Sequence, residues 1–262
     1  AGIEGALEAA IGPRTRGVYF ISPNNPDGTV WSHAELAALA AVAERNHLWI
    51  VADEVYADFV FDGPFVSIAA LPGMAARTVT AYSFSKSHAL AGARVGLVVG
   101  PPAVIELARR VSTHTLFNVP VVSQRACAAA LATGDPWVDA AREVYRNARD
   151  VALEALAPLG GALRVVPPAG GTYLFVDFAP VLGGRPLRGL LERAIARGVF
   201  LAPGEAFGAG FESWARLCYS AVPVPVLREG LAALASAVED VAGCGCRIEA
   251  GSITPRDFLH MP

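Results

Sequence analysis

Residues 48–53 read LWIVAD, five apolar residues in a row closed by an aspartate. A run of that length and continuity suits a strand of a parallel sheet covered on both faces. Similar short runs lie at 17–22 (GVYFIS), 78–82 and 94–100. Between the first two, Ser32 followed three residues on by Glu35 has the pattern of a capping box and predicts a helix over 33–46. Strands interleaved with helical patterns predict an α/β fold, a mostly parallel sheet with helices on both faces. From 102 to about 159 the pattern is helical, most regular over 137–157, and Gly160-Gly161 ends it. Short strands at 163–166, 172–177 and 214–220 follow, with helices at 187–197 and 226–241. We therefore expect a large domain over 1–150, a smaller C-terminal α+β domain over 151–242, and a tail over 243–262 without periodicity.

Composition narrows the classes. The 262 residues are 53% hydrophobic, enough to bury a substantial core. A formal charge of −3, with 17% charged residues, argues against an electrostatic nucleic-acid binder. No apolar run reaches the ~20 residues needed to span a bilayer. Cys127 and Cys218 sit in apolar surroundings and read as small buried thiols. Cys244 and Cys246 have only His260 nearby, too few ligands for a metal site. The first five residues lack the basic and apolar regions of a secretory signal. A reduced, cytoplasmic protein is the expectation.

The segment SFSKSHALAGARVG (83–96) carries the chemistry. It places a lysine amine, hydroxyls and a guanidinium close together, a set suited to a ligand with an aldehyde at one end and a phosphate at the other. The Lys86 amine can form a Schiff base. Serine hydroxyls and a fixed cation can hold a phosphate. In open α/β sheets ligands bind at the carboxyl ends of the strands. Asn25 follows the first strand, Asp53 and Tyr56 the second, and Ser83, Ser85 and Lys86 the third; Arg94 opens the next. In a parallel sheet these would line one crevice. Gly92 and Gly96 flank Arg94, so backbone and ligand can approach closely there. A carboxylate at Asp53 would keep a pyridine nitrogen protonated. Tyr56 and Asn25 can bond a phenolic oxygen on such a ring. Singly, each has a plainer reading: Asp53 an N-cap, Tyr56 a core residue, Asn25 a turn former, Lys86 a surface lysine. His88 reads as a polar turn residue with a catalytic role as the alternative, and His114 as a residue that could face the site from the helical region.

Taken together, SPNNPDG (22–28), DEVY (53–56), SFSK (83–86) and ARVG (93–96) resemble the pyridoxal-phosphate enzymes of the aspartate aminotransferase superfamily, fold type I. GGTYLFVDF (170–178), PGEAFG (203–208) and RLCYS (216–220) are similar to that family's C-terminal half, so the resemblance covers roughly residues 1–240. It implies pyridoxal 5'-phosphate as cofactor, bound to Lys86 as a Schiff base, with Lys86 then moving protons. It implies Asp53 on the pyridine nitrogen, Tyr56 and Asn25 on the phenolic oxygen, and Ser83, Ser85 and Arg94 on the phosphate. Arg216 would pair with the substrate α-carboxylate, which Asn25 would also touch. Asp27 stands where the family commonly has threonine. The family's N-terminal part, with a phosphate loop, a stacking ring and an entrance segment, has no counterpart here, so the chain reads as a piece of a longer protein. The implied activity is amino-group transfer between an α-amino acid and a 2-oxo acid, in a homodimer that binds neither nucleic acid nor membrane. The alternatives are a carbon–sulfur lyase or other elimination, an oxidative deamination, and a non-catalytic truncated form.

Overall fold

The computed structural model describes residues 2–243. They divide into two units. The first holds the residues up to Asn24, Thr29–Arg142 and Ala169–Gly171; the second holds Asn25–Gly28, Glu143–Pro168 and the described residues from Thr172 on. Cys244, Cys246 and His260, in the expected tail, lie outside the described residues.

The first unit runs α1 (Ile3–Ala10), β1 (Gly17–Ile21), α2 (His33–Arg45), β2 (Trp49–Asp53), β3 (Thr78–Ser83), α3 (Phe84–Ser87), β4 (Gly96–Val99), α4 (Pro102–Thr115), α5 (Val121–Thr133) and the start of α6 (Asp135–Leu156). Helix α2 begins where its capping box requires. The Glu35 amide donates to Ser32 Oγ at 3.2 Å, and the Ser32 amide donates to Glu35 Oε2 at 2.7 Å. The sheet order is β1-β2-β3-β4. β1, β2 and β3 are parallel; β4 is antiparallel to β3, with Ser83 opposite Gly96. The sheet is thus mostly parallel, as expected, with β4 the exception. The link from Ser83 to Gly96 carries only the single turn α3 and a short 3-10 turn at Ala91–Ala93, whereas a parallel partner needs a crossover, usually a full helix. The chain therefore turns back at the end it has just reached. A Cβ at Gly96 would lie 2.7 Å from the Tyr82 carbonyl oxygen, so this strand pairing requires glycine there.

Phe20, Ile50 and Ala52 bury one face of the sheet against Leu36, Leu39 and Ala43 of α2, with Ile68 and Met74 closing the core. On the other face Tyr19, Trp49 and Val51 are 61%, 43% and 40% exposed. The continuous apolar run of β2 thus does not mark burial on both faces among the described residues. The pleat sends alternate side chains to opposite sides, and α2 covers only one.

The second unit completes α6 and adds β5 (Arg164–Val165), β6 (Tyr173–Asp177), α7 (Ala179–Leu182), α8 (Arg188–Ala196), β7 (Ala202–Pro203), β8 (Trp214–Cys218) and α9 (Val224–Gly243). Its sheet is antiparallel throughout, in the order β5-β6-β8-β7. Leu174 and Val176 pair with Leu217 and Ala215 on its buried face. Helix α9 buries Leu227, Leu231, Leu234, Val238 and Val241, a stripe at three- and four-residue spacing. It packs against α7 and α8. No described helix is long and apolar enough to cross a membrane.

Two glycines of this unit should respond oppositely to alanine. A Cβ at Gly204 would lie 2.2 Å from the Phe211 carbonyl oxygen and 2.6 Å from that of Trp214, whereas at Gly230 within α9 it meets nothing within 4 Å. Chemical denaturation should show Gly230→Ala stabilising by about 0.5–1 kcal/mol. Gly204→Ala should destabilise by more than that, because backbone must move.

Candidate active site

Six of the expected site residues lie in the first unit, at the end of the sheet where β2 and β3 finish and β4 begins. Asp53 closes β2, and its carboxylate accepts the Tyr19 hydroxyl at 2.9 Å and the Val55 amide at 3.3 Å. The second bond closes a turn rather than capping a helix, since no helix begins at Asp53; the first leaves the carboxylate fixed by a residue of the adjacent strand. Tyr56 follows in the turn after β2 and is buried. Ser83 closes β3, and its hydroxyl accepts the Ser85 amide at 3.2 Å, capping α3. Lys86 is half-buried within α3, and its Nζ lies 5.5 Å from the centre of the Tyr56 ring. Among the described residues no carboxylate pairs with it.

Lysine content singles out Lys86 without any motif: it is the only lysine in the sequence, beside 20 arginines. A guanidinium stays charged and serves poorly as a carbonyl nucleophile, whereas an amine can lose its proton and attack. The segment around Lys86 is held by the buried cluster of Phe84, Val95 and Cys127, with Leu90, Ala93 and Val119 packed on it.

Arg94 sits at this same sheet end because β4 is antiparallel. Its backbone is left-handed, φ 54°, and its Nη1 donates to the Ala91 carbonyl at 2.9 Å. The side chain is exposed and has no carboxylate partner among the described residues. Of its flanking glycines, Gly96 serves the strand pairing described above, and Gly92 faces open space. His88 is a turn residue whose Nδ1 lies 2.7 Å from Ser87 Oγ, and His114 is exposed in the last turn of α4.

Glu54, next to Asp53 in sequence, faces the other way. It is 2% exposed, and its two carboxylate oxygens accept the Ser67 hydroxyl at 2.6 Å and the Tyr82 hydroxyl at 2.7 Å. Burial pushes the Glu54 carboxyl above the usual glutamate range, against the pull of those two bonds. Burial, then the bond to Glu54, push the Tyr82 phenol up to about 12. Both residues line a cavity of about 550 Å³ with Ser83, Ser87, His88 and Arg142. The sequence reading passed over Glu54 and Tyr82. Glu54 lies inside DEVY and Tyr82 near the end of β3, but the bond between them follows from the register of β2 and β3.

The two remaining expected residues, Asn25 and Arg216, belong to the second unit. Arg216 Nη1 donates to Asn25 Oδ1 at 2.8 Å across 191 positions of sequence. The guanidinium carbon lies 4.0 Å from the centre of the Tyr173 ring and 5.1 Å from that of Phe207.

A mostly parallel sheet with an amine, hydroxyls and a carboxylate at its strand ends fits the fold-type-I pyridoxal-phosphate class, and comparison with known proteins shows it. Residues 3–234 match the family described as aminotransferase class I and II, and the chain belongs to it. Its enzymes use pyridoxal 5'-phosphate. The chain is similar to arginine–pyruvate transaminase AruH of Pseudomonas aeruginosa, at 42% identity over 80% of this chain and 53% of the relative. It is also similar to the aspartate/prephenate aminotransferase of Thermus thermophilus, at 35% identity over 78% of this chain and 52% of the relative. Among solved structures, N-succinyldiaminopimelate aminotransferase from Mycobacterium tuberculosis superposes with a TM-score of 0.83 at 31% identity, covering 89% of this chain and 61% of that one. Aspartate aminotransferase from T. thermophilus with maleate gives 0.79 at 30%, covering 92% and 59%. The chain thus spans about half the length of the curated relatives it matches.

Glu54 yields a pH test. Its raised pKa means the folded state holds a proton that the unfolded state releases first, so this group's contribution is full below the ordinary glutamate value and is lost as pH rises through the raised one. Thermal melts across that window should show the native protein losing stability with rising pH, and Glu54→Gln should flatten that slope.

Proposed function

We propose that this chain carries the reactive lysine and most of the cofactor-binding side chains of an aminotransferase acting between an α-amino acid and a 2-oxo acid. The observation that carries the proposal is the sheet end itself: an amine and a cation with no carboxylate partner among the described residues beside Ser83, Ser85 and the oriented carboxylate of Asp53. That donor set fits pyridoxal phosphate, with one amine for its aldehyde, a cation and hydroxyls for its phosphate, and a carboxylate for its ring nitrogen. When bound, the cofactor supplies an electron sink for the carbanion at the substrate Cα.

Lys86 Nζ would hold the cofactor through its aldehyde, and its amine would serve to move the proton at the substrate Cα. Asp53 holds the proton on the ring nitrogen, and the Tyr19 hydroxyl keeps its carboxylate oriented. Tyr56 and Asn25 take the phenolic oxygen; Ser83, Ser85 and Arg94 take the phosphate. Arg216 takes the substrate α-carboxylate, with Asn25 beside it. Residues 1–150 form the cofactor domain in this reading, and 151–242 the small domain. A homodimer belongs to the proposal because Leu107, Val111, Phe117 and Val122 are exposed along α4, α5 and their link, an apolar surface a second copy would cover. A cytoplasmic location fits the free thiols of Cys127 and Cys218. The relative named arginine–pyruvate transaminase makes arginine and pyruvate the first pair to try.

With cofactor-loaded protein and an amino acid but no acceptor, we expect one equivalent of 2-oxo acid per site, and continued turnover only when a second 2-oxo acid is supplied. Lys86→Ala should slow the first half by at least about 100-fold. Sustained release of ammonia without an acceptor would move the assignment to an elimination or an oxidative deamination.

A further inference from the structure

Two sequence motifs, GGTYLFVDF and PGEAFG, have no role in the reaction as described, yet each places an aromatic ring against Arg216. Tyr173 opens β6 and Phe207 follows β7. In the β6–β8 pairing Phe175 stands opposite Arg216 and Tyr173 opposite Cys218, so these four share one face of the sheet. The Arg216 guanidinium is 4.0 Å from the Tyr173 ring and 5.1 Å from the Phe207 ring. Phe207 is itself braced, meeting Phe175 edge-on at 5.6 Å, while Phe175 stacks on Trp214 at 4.9 Å.

An arginine is a long side chain whose rotamers must be frozen when it grips a ligand. Here two rings already hold the guanidinium, by the attraction of a cation to an aromatic ring. Asn25 Oδ1 occupies one Nη1 donor. Arg216 makes no other hydrogen bond or ion pair among the described residues. A guanidinium has five N–H donors in a fixed fork, so the rest remain for a planar acceptor. We propose that Tyr173 and Phe207 are positioning residues: they fix the Arg216 plane before substrate arrives, so that its free donors meet a carboxylate in bidentate register. This rests on the assignment of Arg216 to the substrate carboxylate.

The test compares two small ligands by calorimetry on the cofactor-loaded protein. One is 2-methylalanine, which has no Cα proton to lose; the other is isopropylamine, the same molecule without its carboxylate. Tyr173→Leu and Phe207→Leu should each weaken 2-methylalanine about five- to tenfold and leave isopropylamine unchanged. Tyr173→Phe, which keeps the ring, should retain most of the affinity. Equal weakening of both ligands, or of neither, would overturn the positioning role. Arg216→Ala separates the two levels. If it weakens 2-methylalanine while the ring variants do not, only this inference fails. If it does not, the carboxylate assignment fails and takes the inference with it.

Discussion

The first unit's share of the candidate site depends on the return of the chain between β3 and β4. Ser83 pairs antiparallel with Gly96, and the tight approach of Gly96 to the Tyr82 carbonyl makes that pairing sterically specific. Because the strand comes back where it left, the amine of Lys86 and the guanidinium of Arg94 share a sheet end with Asp53 and Ser83. A parallel β4 would have carried Arg94 to the opposite end. The return has a conformational cost: Ala89 and Arg94 both have left-handed backbones, at φ 53° and 54°, each unfavourable by on the order of 1–2 kcal/mol for residues with a Cβ. Burial of Phe84, Val95 and Cys127 beneath the turn offsets it.

The end of β2 divides its work between consecutive residues. Asp53 turns its carboxylate to Tyr19 on the open face, and Glu54 turns inward to Ser67 and Tyr82. The inner carboxylate is desolvated, so its two hydroxyl bonds are worth more than they would be in water. Its bond to Tyr82 ties β2 to β3 one residue from Asp53 and one residue from Ser83. In the second unit the same economy appears at Arg216, where rings and one amide restrict a cation whose remaining donors stay available.

Much of this was legible in the sequence, and for physical reasons. The capping box at Ser32 and the apolar periods of α2, α6, α8 and α9 are local signals, and the elements sit within a few residues of where those signals place them. The ends of β2 and β3 were legible because an apolar run must stop where polar chemistry begins. Strand direction was not legible, since periodicity is the same for parallel and antiparallel strands; only the shortness of the 84–95 link carried that information. The two-residue strand β7 is too short to have a period. Among the described residues the run of β2 is covered on one face only, with Trp49 and Val51 exposed on the other. Tyr19, Glu54 and Tyr82 escaped notice because register across strands, not spacing along the chain, brings them to their partners. Tyr173 and Phe207 lay inside recognised motifs, yet only the distances to Arg216 assign them work.

The central claim is that the single lysine of these residues is where the cofactor is joined to the protein. Borohydride reduction of the loaded protein, followed by peptide mass mapping, tests it directly. The account predicts the mass of the reduced cofactor on the peptide that contains Lys86, and its loss in Lys86→Ala. Label on any other residue, or cofactor that washes away unattached after reduction, would contradict it.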